Sequence, residues 1–219
     1  MLHSSAPAPL KPLVLASANP GKLGEFQALL AGLPFDVSSL GQLKLPSPEE
    51  TGDSFRANAI LKARHAAALC GCAAIADDSG LEVDALGGAP GIYSARYAGA
   101  AADDAQNNAK LLQALEGLPF KRRRARYRCA LAFVEAPGAS RAAADSPLVA
   151  EGVWEGFILA APRGSGGFGY DPYFWVPELN LTAAELDPAE KNSRSHRAMA
   201  MRALREMLEA QRRARSAEP

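Results

Sequence analysis

The stretch that most constrains this chain is residues 74–99. An apolar run, Ala73-Ala74-Ile75-Ala76, meets Asp77-Asp78-Ser79-Gly80, and a loop with Gly87, Gly88 and Gly91 follows. The run reads as a buried strand closed by the two acids, with Ser79 and Gly80 turning the backbone. Side chains at the carboxyl end of a strand point into the crevice where open α/β sheets bind ligands. Two carboxylates beside a hydroxyl suit a hard divalent cation and the phosphate it escorts. Asp-Asp-Ser-Gly is also ordinary turn or N-cap chemistry, and this stretch alone leaves both readings open.

The segments before it carry further anion chemistry. Leu13 to Ala16 reads as a strand running into Ser17-Ala18-Asn19-Pro20-Gly21-Lys22. Asn19 suits an N-cap and Pro20 a first helical residue, and Leu23, Phe26 and Leu30 share one helical face. Free N–H groups at such a helix start, with Lys22 nearby, form a phosphate site; an ordinary capped helix with a solvated lysine is the alternative. A second strand begins near Val37. A long helix over 53–70 follows Glu49-Glu50-Thr51-Gly52, with Asn58 and Lys62 together on its surface. Acids ahead of a helix complement its dipole, but Glu50 could equally bring a second carboxylate to Asp78.

After the glycine loop, a helix is expected over 103–116. The basic run Lys121–Arg128 leads into an apolar strand ending at Val134, and reads as a solvated strand edge that resists edge pairing. Residues 136–147 read as a hairpin loop and 148–158 as the return strand. Gly164, Gly166 and Gly169 match G-x-G-x-x-G, but Asp171-Pro172 and Pro177 leave no room for the helix a dinucleotide site requires. A glycine loop carrying Phe168 and Tyr170 is better suited to gripping a flat ring. A helical turn is expected over 182–186. Lys191, His196 and Arg197 then gather at the start of the last helix, where they could bind an anion or a base edge.

Residues 1–12 and the polar tail from 212 read as frayed, leaving one domain over 13–211. Lys+Arg and Asp+Glu are equal at 24 each, so no global field favours nucleic acid. No apolar run reaches the length of a membrane span, and the start lacks the pattern of a signal peptide. Three cysteines without metal-site spacing fit a reducing compartment, and the cytoplasm is the default expectation.

Taken in order, Ser17-x-Asn19-x-x-Lys22, Glu49-Glu50-Thr51-Gly52 with Asn58 and Lys62, IADDSGL, GGAPGIYSARYAG, GGFGYDP, and Lys191 with Ser195-His196-Arg197 resemble the inosine triphosphate pyrophosphatase family. The resemblance spans Leu13 to Leu208. Ser17-Ala18-Asn19 departs from the family's common Thr-Gly-Asn but keeps the hydroxyl. The resemblance implies an α/β fold: a long, twisted mixed sheet flanked by helices, in two lobes with a cleft between them, commonly as a homodimer. It implies hydrolysis of ITP, dITP and XTP to the monophosphate and pyrophosphate. Mg²⁺ would be held by Glu50 and Asp78, with Asp78 also the general base. Ser17, Asn19, Lys22 and Ser79 would hold the phosphates. Phe168 would stack on the base, whose edge would meet Gly169, Tyr170, Asp171, Lys191, His196 and Arg197. The alternatives are a Maf-like nucleotide pyrophosphatase, which has Ser-Pro-Arg-Arg where this chain has Asn19-Pro20-Gly21-Lys22, and a nucleotide-binding module without catalysis.

Overall fold

The computed structural model describes residues 10–17, 19–138 and 146–217. Seven strands form one mixed sheet in the order β2-β1-β3-β4-β5-β6-β7. They are β1 (Lys11–Leu15), β2 (Phe35–Ser39), β3 (Ala73–Val83), β4 (Arg124–Val134), β5 (Leu148–Ile158), β6 (Phe174–Val176) and β7 (Leu181–Thr182). β1 runs parallel to β2 and β3; the remaining pairs are antiparallel. The helices are α1 (Pro20–Leu30), α2 (Phe55–Cys70), α3 (Asp104–Ala114), α4 (Pro188–Arg194) and α5 (His196–Ala217).

The alternation of side chains along β3 divides the core. Ala74 and Ala76 face α2, joining Ala59, Ala63 and Ala66 with Ala130, Ala132 and Val134 of β4. Small residues on both partners let α2 lie close to the sheet. Ile75 faces the other side, in a cluster with Leu15, Phe26 and Leu30 beneath α1 and Met201 and Leu204 beneath α5. A third cluster, around Tyr127, Trp154, Tyr170 and Phe174, fills the end of the sheet away from β1. α2 starts on a Ser54 cap and stops at Gly71, which is left-handed at φ 64°.

Several local expectations are corrected. β3 does not end at Ala76: it pairs with β4 from Ala74↔Val134 to Val83↔Ala125, so Asp77 to Gly80 lie inside a long strand. Gly80 serves close approach rather than a turn, because a Cβ there would strike the Gly91 carbonyl and the Ser94 hydroxyl. The basic run is not a sheet edge. Arg124, Arg126 and Arg128 lie on β4 between two strands, alternate with buried Ala125 and Tyr127, and pair with Glu82, Asp84, Glu151 and Glu155. Over 182–186 there is no helix: β7 ends at Thr182 and a hydrogen-bonded turn follows to Glu185. Lys11 and Pro12, expected to fray, pair with β2, and the last helix continues to Ala217 rather than stopping near 212. Most of the expected 136–147 loop lies outside the described residues.

Glycine also seats α5. A Cβ on Gly152 of β5 would collide with the carbonyl of His196 and the amide of Ala200. Gly152→Ala should therefore cost about 1–3 kcal/mol by overpacking. Gly24→Ala, at an exposed helical position with nothing within 4 Å, should be neutral or stabilise by about 0.5–1 kcal/mol. Thermal denaturation of the two variants reads the difference; matching melting temperatures would show that α5 is not tightly seated.

Candidate active site

Adjacent residues of a strand point to opposite faces, so Asp77 and Asp78 enter different environments. Both are buried. Asp77 faces α1 and α5. Its Oδ2 lies 2.7 Å from Lys22 Nζ and 3.5 Å from Arg197 Nε, and accepts a hydrogen bond from Ser79 Oγ at 3.1 Å. Cys129 Sγ donates to its other oxygen. Burial alone would raise this carboxyl, but the Lys22 and Arg197 cations hold it well below the usual carboxylate range.

Asp78 faces α2. Its Oδ1 lies 2.6 Å from Lys62 Nζ, and Asn58 Nδ2 donates to Oδ2 at 3.3 Å. Asn58 and Lys62, expected on the helix surface, are buried beneath it. Asn58 also accepts from the Gly52 amide, which pins the chain leading into α2. Lys62 Nζ reaches Glu50 Oε1 at 3.0 Å, and Arg96 Nη1 donates to Glu50 Oε2 at 2.7 Å. Burial pushes Asp78 above the ordinary carboxylate value, and Lys62 offsets only part of this. At Glu50 burial acts in the same direction, but Lys62 and Arg96 prevail and its carboxyl is lowered.

Glu50 and Asp78 thus converge on one cation, the Lys62 ammonium, across 28 positions of sequence. Carboxylate oxygens that share one cation have the donor chemistry of a hard divalent ion's site. Among the described residues, no group of three His, Cys, Asp or Glu side chains could hold a metal ion alone. Two carboxylates suit Mg²⁺, which keeps several waters and takes its other oxygens from substrate phosphates.

The segment expected to cradle phosphates differs from its expected form. Asn19 Oδ1 accepts from both the Gly21 and Lys22 amides, and Ser17 Oγ accepts from the Asn19 amide. Pro20 has no N–H, so the start of α1 has few donors left over for an anion. The cradle's charge comes from the Lys22 side chain, which bridges to Asp77 instead of being solvated.

The ring-gripping loop lies on the Asp77 side. A cavity of about 110 Å³ is lined by Lys22, Ser79, Phe168, Gly169, His196 and Arg197, among others. Phe168 lies directly on Gly21 of α1. Lys191 Nζ is 4.9 Å and the Arg197 guanidinium 5.2 Å from its ring centre. Asp171 holds the loop: its carboxylate accepts from the Phe168 amide, the Tyr127 hydroxyl and Lys191. Tyr170 is buried, and its hydroxyl donates to the Ser94 carbonyl. His196 is 2 % exposed and stacks on Tyr127 at 4.7 Å, with neither ring nitrogen hydrogen-bonded. Burial, assisted by neighbouring Arg197, pushes it well below the ordinary histidine value.

Three residues without an assigned role complete the site. Glu25 of α1 accepts from Lys191 and Arg197 at 2.8 Å each, tying the cradle to the ring slot. Asp104 of α3 accepts from the Gly169 amide. Arg96 holds Glu50. Glu25 stands three residues after Lys22 on one helix, and Arg96 lies within GGAPGIYSARYAG, which were the available signals; Asp104 gave none.

Among the described residues, no helix is long and apolar enough to cross a membrane. A family model described as the Ham1 family matches residues 13–207. A dITP/XTP pyrophosphatase of Xanthomonas campestris is 52% identical over 92% of this chain and 98% of its own. One from Thioalkalivibrio sulfidiphilus is 54% identical over 90% of this chain and 98% of its own. A HAM1 protein structure from Coxiella burnetii superposes with TM-score 0.81 at 47% identity, covering 92% of this chain and all of that one. The Staphylococcus aureus Ham1 protein gives 0.78 at 40% identity, again over 92% of this chain and all of that one. With a family model matched over nearly the whole sequence and relatives more than half identical, the chain belongs to the Ham1 family.

Proposed function

We propose that this chain hydrolyses non-standard purine nucleoside triphosphates, ITP, dITP and XTP, to the monophosphate and pyrophosphate with Mg²⁺. One observation carries the reading: a ring slot and a pair of cation-binding carboxylates lie on opposite faces of the same strand, joined across an open stretch of its edge. β1 accompanies β3 only as far as Leu15↔Ile75, and that edge is next met by the Ser94 hydroxyl at the Leu81 amide and by the Glu82–Pro90 bridge. A nucleotide laid across this edge puts its base against Phe168 and its phosphates between Lys22, Ser79 and Asp78. The activity named for the relatives fits this arrangement.

Glu50 and Asp78 would hold Mg²⁺, which when bound would supply charge neutralisation for the phosphates. Asp78, raised by burial, is the general base that takes a proton from the attacking water. The water oxygen bonds to the α-phosphorus as the bond to the bridging oxygen breaks, and that oxygen leaves with pyrophosphate. Lys22, Ser17, Asn19 and Ser79 hold the phosphates and oppose the developing charge. Phe168 stacks on the base. His196 and Arg197 donate to the C6 oxygen of hypoxanthine or xanthine, and the 6-amino group of adenine would set donor against donor there. Lys191, Gly169, Tyr170 and Asp171 form the wall behind it, Asp171 and Tyr170 by shaping the loop.

This reading places the enzyme in the cytoplasm, cleansing the nucleotide pool without contact to nucleic acid, as a homodimer. The end of the sheet's α2 face which α2 leaves open supports the dimer: its arginines and acids alternate across β3, β4 and β5 and can meet a second copy of themselves. The relatives' names favour this family over the Maf-like alternative.

Three measurements test the reading. In a pyrophosphate-release panel, ITP and XTP should be turned over with Mg²⁺ and far outpace ATP; equal efficiencies for ITP and ATP would remove the base-reading role of the slot. Asp78→Asn should lower kcat by about 10²–10⁴-fold, and near-normal turnover would reassign the base. His196 titrates well below its unfolded value near 6.5, so its neutral form contributes stability that is present above that pH and lost below it. Denaturant titrations at pH 7 and pH 5 should show wild type losing up to about 1.4 kcal/mol per pH unit more than His196→Gln. Parallel losses in the two proteins would mean His196 is protonated in the folded state.

A further inference from the structure

We infer that Arg96 is a substrate residue of this site, a guanidinium resting on Glu50 that passes to the leaving pyrophosphate when Glu50 takes up the cation. The inference rests on the reading above.

Glu50 spends each of its oxygens on a different cation, Oε1 on Lys62 at 3.0 Å and Oε2 on Arg96 at 2.7 Å. The two cations are not equally free. Lys62 is only 9% exposed and is tied to Asp78 as well, whereas Arg96 is 34% exposed and, among the described residues, pairs with Glu50 alone. A divalent ion on the Glu50 carboxylate would neutralise what holds Arg96 and repel the guanidinium at short range. The anion that arrives with the metal is the phosphate tail. A planar fork of N–H donors fits phosphate oxygens in a bidentate manner that lysine cannot reproduce.

The backbone that carries Arg96 is fixed from three directions. Ser94 Oγ accepts from the Leu81 amide of β3 and donates to the Gly91 carbonyl. Tyr170, from the ring-gripping loop, donates to the Ser94 carbonyl. Asn107 of α3 donates to the Ala95 carbonyl and accepts from the Ala98 amide. These bonds bracket residue 96 while leaving its long side chain to swing. The Tyr93 ring, 5.3 Å from the guanidinium, offers a shelf along the way. A rigid mount under a mobile cation is suited to a group that changes anions during turnover. A purely structural arginine would instead serve to orient Glu50.

The two roles predict opposite signs for metal binding. Calorimetric titration of the full chain with Mg²⁺ alone, and with pyrophosphate in the presence of Mg²⁺, separates them. For Arg96→Ala we expect pyrophosphate affinity to fall about ten- to a hundredfold, the value of a charge-assisted contact, while Mg²⁺ alone binds at least as tightly as to wild type. Arg96→Lys should recover part of the pyrophosphate affinity. Unchanged pyrophosphate affinity in Arg96→Ala would overturn the inference. So would weakened binding of Mg²⁺ alone, which is the mark of a residue that merely orients Glu50. Circular dichroism and melting temperature matching wild type establish that the variants are folded. A wild-type protein that binds no pyrophosphate would sink the parent reading as well, whereas binding by wild type with no loss in the variant sinks only the role of Arg96.

Discussion

The site depends on the period of two along β3. Two carboxylates in sequence cannot share one cation when the pleat sends them to opposite sides. Asp77 is consumed by Lys22 and Arg197 beneath α1 and α5, and Asp78 by Lys62 beneath α2. The strand thereby ties one acid between α1 and α5 and leaves the other, to which the proposed chemistry is given, on the α2 side. Had the chain turned at Ser79, both acids could have met a single ion and this separation would be lost. Antiparallel pairing with β4 through Val83 prevents the turn.

Burying this many charges is costly unless every one is paired. The ring side meets the requirement with a closed network in which Glu25 and Asp171 share Lys191, and Glu25 and Asp77 share Arg197. Such networks are poor sources of net stability but good at fixing geometry, and here the geometry fixed is the distance between α1, the Phe168 loop and α5. The side facing α2 is looser, because Glu50 and Arg96 are partly exposed. That contrast fits the chemistry on each side. A base must be read by groups that do not move, and phosphates must be admitted and released.

Much of this was legible in the residues. The order of short motifs carried the family, since the cavity beside Asp77 takes lining residues from each of them except Glu49-Glu50-Thr51-Gly52 with Asn58 and Lys62. Strand and helix cores at Leu13–Ala16, Phe55–Cys70 and Leu148–Ile158 followed from apolar periodicity. The failures share one cause, which is that burial of a polar residue is decided by chain far away. Asn58 and Lys62 look like a solvated helix face until Asp78, at the other end of the fold's crossover, is placed beneath them. Ser79-Gly80 carries turn chemistry, yet the glycine is needed for the approach of Gly91 and Ser94. The β4 arginines resemble an edge because their acids lie on neighbouring strands. Asn19, correctly read as a cap, uses up the very amides that a bare helix start would have offered to phosphate.

The gap where β1 stops beside Ile75 has a consequence for traffic. On the proposed reading, a nucleotide draped over that rim would set its base and its phosphates on different faces of one strand, so that cutting it would leave the two products on opposite sides of β3.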